Sequence, residues 1–355
     1  MRKPVTVREI GAAAGVSPAT VSYVLSGNGA QRAIPARTQQ HVRRVASRLG
    51  WQPNHMRSAF FTGKTKLIGM WQQRFGESYH NEVTRTMEAV LRADGYAMLV
   101  SPALKDNSSE EFDLHLFNRW SVDGLLALGG SVHLMKFLGA HPEWLLPVVN
   151  MVSFPLADAP RVDTVYVDVL TPARAGLERW VAEGRRGIAM LSGHDAGSTE
   201  QDPREQLYRA FVRERGITEE LIIFPKRGDQ RHSAEDGLRA HLAIHGCPEA
   251  IFCRSDETLM GAYRALRLLG IEIPKQVALL GIDGIQDTRY LDQPVATVAQ
   301  PVAQMCRAAW ALLRDRLENP ERPARRENLA GRLVWLGDDL VTEANDNDTK
   351  HTDTA

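Results

Sequence analysis

Cysteine is scarce in this 355-residue chain, which holds only Cys247, Cys253 and Cys306. An odd count without C-x-x-C spacing argues against both a disulfide framework and a cysteine zinc site. His241 and His245 stand four apart in "HLAIHGC", yet no further ligand has metal-site spacing, so a solvated helix end is expected there. Long apolar runs are missing too: none approaches the ~18 residues of a membrane span. The opening "MRKPVTVREI" carries basic residues but no apolar h-region. No secretory signal is therefore expected, and the cytoplasm is the expected location. G-x-x-x-x-G-K-[ST], H-E-x-x-H and G-x-S-x-G are absent, and no glycine-rich dinucleotide turn follows a strand. Neither catalysis nor a cofactor is expected. What remains is an ordinary soluble composition, 43% apolar and 24% charged, on a length that suggests two or three domains.

One end lacks acids. The formal net charge of the chain is zero, but residues 1–66 hold eleven Lys/Arg against a single acid, Glu9. A basic end on a neutral chain is the electrostatic footprint of nucleic-acid binding.

That end is also well patterned. Thr6-Val7-Arg8-Glu9 reads as a capping box, with Val7, Ile10 and Ala14 on one helical face. Gly15 suits the left-handed position that stops a helix, and Ser17-Pro18 is an N-cap followed by a favoured first helical residue. Val21, Val24 and Leu25 give the second helix its apolar side. Ala12, Ala13 and Ala14 are small enough to let two helices cross closely. A third helix is expected over about 35–49, with Arg43, Arg44 and Arg48 outside. The spacing predicts a helix-turn-helix whose second helix enters the major groove, with Pro18 and Ala19 near the base edges and Tyr23 one turn on. The hydroxyls of Thr20 and Ser22 suit phosphate or base. Thr6 and Ser17, at the two caps, complete the expected contact set of this region.

From residue 66 on, short apolar strands such as "KLIGMWQQ", "LLALGG", "GIAMLSG", "AIFCRS" and "VALLGID" alternate with helical patterns. Such alternation gives parallel sheets wrapped by helices, with ligands at the carboxyl ends of the strands.

The stretch "VTVREIGAAAGVSPATVSYVLSG" resembles the DNA-binding headpiece of the lactose-repressor family of bacterial transcription regulators, and the likeness continues through "RTQQHVRRVASRLGWQPNHMRSAFFTGKTKLIGM". "VDGLLAL", "AIFCRSDETLMGAYRALRLLGIEIPKQVALLGIDG" and "PVATVAQPVAQM" resemble that family's effector domain, so about 335 residues are covered. The resemblance implies an N-terminal all-α helix-turn-helix headpiece plus an α/β two-lobed, periplasmic-binding-protein-like effector domain with parallel sheets. It implies a headpiece over 1–52 and a hinge over 53–65. An effector-binding and dimerisation domain follows over 66–337, with lobe 1 at about 66–165 and 294–325 and lobe 2 at about 166–293 and 326–337. The polar, acidic segment 338–355 has no leucine heptads, so a disordered tail and a dimer are expected.

The implied partners are palindromic double-stranded DNA, a small-molecule effector and a second copy of the chain, with no membrane. In the hinge, Asn54 and Arg57 would meet DNA, and Phe60 stands where the family wedges a leucine into the minor groove. For the effector cleft, Asp283 matches an acid that contacts effector hydroxyls or ring nitrogens, and Ser255 stands where asparagine is usual. Gln73 ends the first strand, Tyr79 and His80 match a paired aromatic site, Tyr166 lies near the first crossover and His232 matches an aromatic position. Leu207 replaces a frequent arginine, with Arg204 one turn earlier as its expected substitute. Asp256 is expected to be structural. The resulting expectation is a ligand-responsive regulator, a repressor of a catabolic operon controlled by a sugar or sugar derivative, with a less polar effector kept open. The alternatives are a solute-binding protein without a DNA role and a corepressor-dependent regulator.

Overall fold

The computed structural model describes residues 5–51, 64–72, 76–102, 116–117, 119–129, 132–141, 143–154, 162–194, 202–225 and 228–335. Asn54, Arg57, Phe60, Gln73, most of the expected hinge and the expected tail lie outside them. The chain divides into two compact units, the first made of residues 1–67 and 121–123 and the second of the rest.

In the first unit, helices α1 (Val7–Ala14), α2 (Pro18–Leu25) and α3 (Ala36–Arg48) pack around Ile10, Ala14, Val21, Val24, Val42, Val45 and Ala46. The local signals act as expected. Thr6 accepts from the Glu9 amide while the Glu9 carboxylate receives the Thr6 amide. Gly15 closes α1 at φ 66°, and Ser17 caps α2 through the Thr20 amide at 3.1 Å. The close crossing differs from expectation. Ala12 and Ala13 are exposed, and the tight point is Gly11, where a Cβ would stand 2.9 Å from the Val16 carbonyl oxygen. Gly11 lies four residues before Gly15, on the inner face, whereas Ala12 and Ala13 point out. The chain entering the second unit is pinned by Asp123, whose carboxylate accepts the Thr65 and Lys66 amides at 2.7 and 3.0 Å.

The second unit has two six-stranded sheets. Its elements run β1 (Leu67–Gln72), α4 (Ser78–Ala93), β2 (Ala97–Pro102), β3 (Gly124–Leu128), α5 (Val132–Ala140), β4 (Val148–Val152), β5 (Val162–Asp168), α6 (Leu170–Ala182), β6 (Ile188–His194) and α7 (Pro203–Arg215). They continue with β7 (Glu220–Pro225), α8 (Gln230–His245), β8 (Ala250–Cys253), α9 (Asp256–Leu268), β9 (Ala278–Asp283), a 3-10 turn (Gln286–Tyr290), β10 (Ala296–Ala299), α10 (Val302–Glu318), β11 (Arg326–Ala330) and β12 (Arg332–Trp335). Lobe 1 has strand order β11-β5-β4-β3-β1-β2, and lobe 2 has β12-β10-β9-β8-β6-β7. The pairings β1–β3, β3–β4, β4–β5 and β5–β11 are parallel, as are those from β7 through β10, while β12 is antiparallel to β10.

The chain crosses between the lobes three times, as the resemblance implies, but each crossing comes a few residues later. β5 lies wholly in lobe 1, which moves Tyr166 there. β10 pairs with β9, so residues 296–299 belong to lobe 2. β11 pairs with β5, so residues 326–330 belong to lobe 1. The reason is hydrogen bonding: both short strands complete the sheet they leave before the chain crosses. One apolar core runs through the crossovers, from Val165 and Val167 in lobe 1 to Leu280 and Val298 in lobe 2. No helix among the described residues is long and apolar enough to cross a membrane.

Candidate DNA-reading helix and effector cleft

On α2, Pro18, Ala19, Ser22 and Tyr23 are exposed while Val21 and Val24 are buried, so the expected reading face is open. Tyr23 lies under the Arg32 guanidinium, 4.8 Å from its ring centre. Ser17 and the half-buried Thr20 share a 2.9 Å hydroxyl–hydroxyl bond at the helix start. The Thr6 hydroxyl is committed to Glu9. On α3, Arg43, Arg44 and Arg48 are exposed beside the buried Val42 and Val45. α3 thus offers exposed cations and holds no acid of its own, which suits a polyanion.

In the second unit, parallel β9 ends at Asp283, whose φ of 128° is a backbone position that L-residues rarely adopt. Asp256 organises this turn. Its carboxylate accepts the Gly284 and Ile285 amides at 2.7 and 3.0 Å and the Thr297 hydroxyl at 2.8 Å. A Cβ on Gly281 would stand 2.1 Å from Asp256 Oδ1, so glycine is required beside it. Burial pushes the Asp256 carboxyl up to about 6, and burial together with the Asp256 charge raises Asp283 further above its usual range. Asp256 is thus structural, as expected.

Gln300, where the chain leaves β10 for lobe 1, ties the lobes together. Its Oε1 accepts the Tyr79 and Ser153 hydroxyls at 3.0 and 2.9 Å, and its Nε2 donates to Asp283 Oδ1 at 3.0 Å. Opposite, Asp202 caps α7 and binds the Arg204 guanidinium through Nε at 2.8 Å and Nη2 at 2.7 Å. Arg204 Nη1 donates to the Arg254 carbonyl at 2.9 Å, and its guanidinium lies 4.8 Å from the ring centre of Phe154 in lobe 1. Burial alone would raise the Asp202 carboxyl. The charges of Arg204 and Arg254 outweigh it and hold Asp202 far below the usual carboxylate range.

The structure brings Tyr79, Arg204 and Asp283 of the expected set into this region. Tyr79 differs in role. Its ring is buried on the α4 face shared with Val83, Met87 and Leu91, so only its hydroxyl reaches the cleft and it offers no stacking platform. His80 sits edge-on to that ring at 5.4 Å. His232 is misplaced in the expectation. Its side chain is 72% exposed and pairs with Asp236, because position 230, not 232, falls on the cleft side of α8. Gln230 there donates to Ser255 and Thr258 at 3.0 and 2.9 Å. Ser255 caps α9. Tyr166 lies under the Arg326 guanidinium at 5.4 Å, on β5 of lobe 1. Leu207 packs against the core. His241 binds Glu220 at 2.8 Å and stacks on His245 at 4.5 Å, and the described residues contain no cluster able to hold a metal.

Gln300, Asp202, Arg254 and Gln230 were missed by sequence reasoning. Asp202-Pro203 carries a helix-start signature that points at the cleft. Gln300 is a polar residue between an apolar strand and a proline.

A helical headpiece with an open reading helix and exposed arginines on a neighbouring helix, on a chain whose remainder is a two-lobed ligand-binding fold, defines a ligand-responsive DNA-binding regulator. The comparisons with known proteins agree. Residues 6–54 match the model for bacterial regulatory proteins of the lacI family, and residues 177–335 match a periplasmic binding protein-like domain. The chain is a ligand-responsive DNA-binding transcription regulator with a lacI-family headpiece and a periplasmic-binding-protein-like domain. It is 28% identical over 337 residues to the HTH-type transcriptional regulator PtxS of Pseudomonas aeruginosa, covering 95% of this chain and 96% of that one. It is 24% identical to the ribose operon repressor of Haemophilus influenzae, covering 89% and 92%. In fold it resembles the lac repressor dimer bound to operator and the anti-inducer ONPF, with a TM-score of 0.79 at 19% identity over 94% of this chain and 98% of that one.

Proposed function

We propose that the chain acts in the cytoplasm as a homodimeric repressor of a catabolic operon. Two α2 helices would read the halves of a palindromic operator, and the two-fold symmetry of the dimer would match that of the DNA. Asn54, Arg57 and Phe60 are assigned to the hinge contact at the operator centre. The effector, a sugar or sugar derivative, is assigned to the cleft between the lobes, with Arg204, Ser255, Asp283 and Gln300 as its polar contacts. Gln73, His80 and Tyr166 stay in the proposed set on resemblance alone, and His232 leaves it because its side chain faces solvent. The single observation that carries this reading is the Gln300 node. One side chain at a crossover bonds Tyr79 and Ser153 of lobe 1 and Asp283 of lobe 2. A ligand that competes for any of these bonds changes how the lobes meet. DNA affinity then shifts only by the ligand's differential affinity for the two arrangements.

The test is a thermal-shift screen of the full chain against pentoses, hexoses and their acid derivatives, followed by operator binding with each hit. A hit that stabilises the protein, alters operator affinity and loses both effects in Asp283→Asn and Gln300→Leu supports the assignment. Hits that bind those variants unchanged would place the effector elsewhere.

A further inference from the structure

Away from the Gln300 node, a second set of bonds spans the lobes. Ser78, the first residue of α4 in lobe 1, donates its amide to Glu257 Oε1 of α9 at 2.8 Å. A helix-start amide has no partner within its own helix, so this donor is available for a distant acceptor. The Ser78 hydroxyl receives Arg231 Nη2 of α8 at 2.9 Å and faces Asp287 Oδ2 at 3.4 Å. Arg231 also pairs with Glu257 and, at 2.5 Å, with Asp287. Three separate elements of lobe 2 thus converge on one residue of lobe 1. Among the described residues, no hydrogen bond runs from these four to Gln300, Asp283 or Arg204.

We propose that Arg231 is an interlobe latch that favours the closed arrangement of the cleft without touching the effector. The ion pairs of Arg231 with Glu257 and Asp287 lie within lobe 2 and survive opening, whereas every bond to Ser78 is lost. Glu257 is only 5% exposed in this structure, where the Ser78 bonds are made. Its carboxylate stays there because Arg231 neutralises it, and a buried carboxylate stripped of its partner is strongly disfavoured. Without Arg231, opening would return Glu257 to water and relieve its repulsion with Asp287. Arg231 is a positioning residue, and Ser78 is its counterpart on lobe 1. The link to regulation rests on the cleft being the effector site, but the latch itself does not.

The experiment measures the lobe separation directly in the full chain. Spin labels are placed at Arg85→Cys on α4 and Ala240→Cys on α8, both exposed, with the exposed Cys247 changed to Ser. The protein is refolded from guanidinium to remove carried-over small molecules and diluted with unlabelled chains. Double electron–electron resonance then gives the label distance. Arg231→Ala should add a longer-distance population that is minor in the parent. Ser78→Ala, which removes the hydroxyl but keeps the amide bond to Glu257, should do so more weakly. Raising sodium chloride from 0.05 to 1 M should shift the parent towards the Arg231→Ala distribution and leave that variant nearly unchanged, because salt screens the partly exposed Arg231 pairs. Identical distributions in the parent and both variants would overturn the latch. Operator binding is measured on the same samples. Its absence in the parent would refute the regulator reading while leaving the distance result to stand or fall separately.

Discussion

Replacing Ile10 with alanine should disable DNA binding without touching the reading face. Ile10 is 0% exposed in a core of seven buried side chains among the described residues. Truncating a buried isoleucine costs about 2–5 kcal/mol, because the transfer energy is lost and a cavity is left. A unit of roughly fifty residues, at about 0.05–0.15 kcal/mol per residue, has only about 2–7 kcal/mol in total. The substitution therefore removes most or all of the headpiece stability. Operator affinity falls by the fraction of headpieces that remain folded, and a dimer needs two of them. Scanning calorimetry should show a small low-temperature transition that disappears in Ile10→Ala, with the large effector-domain transition unmoved. Anisotropy with operator DNA should show at least a tenfold loss. If Ile10→Ala kept both the small transition and operator affinity, the assignment of this cluster as the sole core of an independent headpiece would be wrong.

Other substitutions separate the remaining roles. Arg43→Ala with Arg44→Ala should weaken binding to all duplexes alike and reduce the salt slope by about one to two, as expected for lost phosphate contacts; an unchanged slope excludes that role. Tyr23→Ala should alter preference at one base position by about 1–3 kcal/mol, read by competition among single-position operator variants. Equal losses on all of them would mean that Tyr23 reads no base. Asp163 is fully buried and bound by both Arg316 and Arg322, so Asp163→Asn should destabilise the effector domain by about 3–5 kcal/mol in urea melts. Burial alone would raise the Asp163 carboxyl, but its arginine partners hold it below 3.8. Its contribution is therefore present above the unfolded value and lost as pH falls through the lower folded value. Acid melts should be steep for the parent and shallower for Asp163→Asn. Asp256 has the opposite sign. Its folded value of about 6 lies above the unfolded 3.8, so its contribution is full below pH 4 and is lost as pH rises through 6. Asp256→Ala should flatten the pH 4–7 stability profile, and an unaltered profile would rule out that titration.

Much of the architecture was legible because it rests on local signals. The capping box, Gly15 and Ser17-Pro18 each satisfy or release backbone groups within four residues, so the sequence alone marks the ends of α1 and α2. Strand and helix alternation likewise announces parallel sheets. The crossovers were less legible. β10 and β11 have four and five residues, and which sheet they complete depends on partners over a hundred residues away in the case of β11 and β5. Cleft residues showed the same split. Asp283 and Arg204 follow strand-end and helix-start logic. Gln300 matters only because residues 79, 153 and 283 meet it, which no local pattern encodes. His232 failed on helical phase, since adjacent positions differ by about 100°. Tyr79 failed because an aromatic at the start of an amphipathic helix serves the core as readily as a ligand.

The central claim is that this chain binds particular DNA through its headpiece. The direct measurement is a selection of genomic fragments by the purified full chain, followed by fluorescence anisotropy of enriched fragments and a scrambled duplex at two salt concentrations. The account predicts enriched fragments sharing a palindrome, bound at least a hundredfold more tightly than the scrambled duplex, with affinity falling steeply as salt rises. Binding no tighter than to scrambled DNA for every fragment, with and without the hits of the ligand screen, would contradict it.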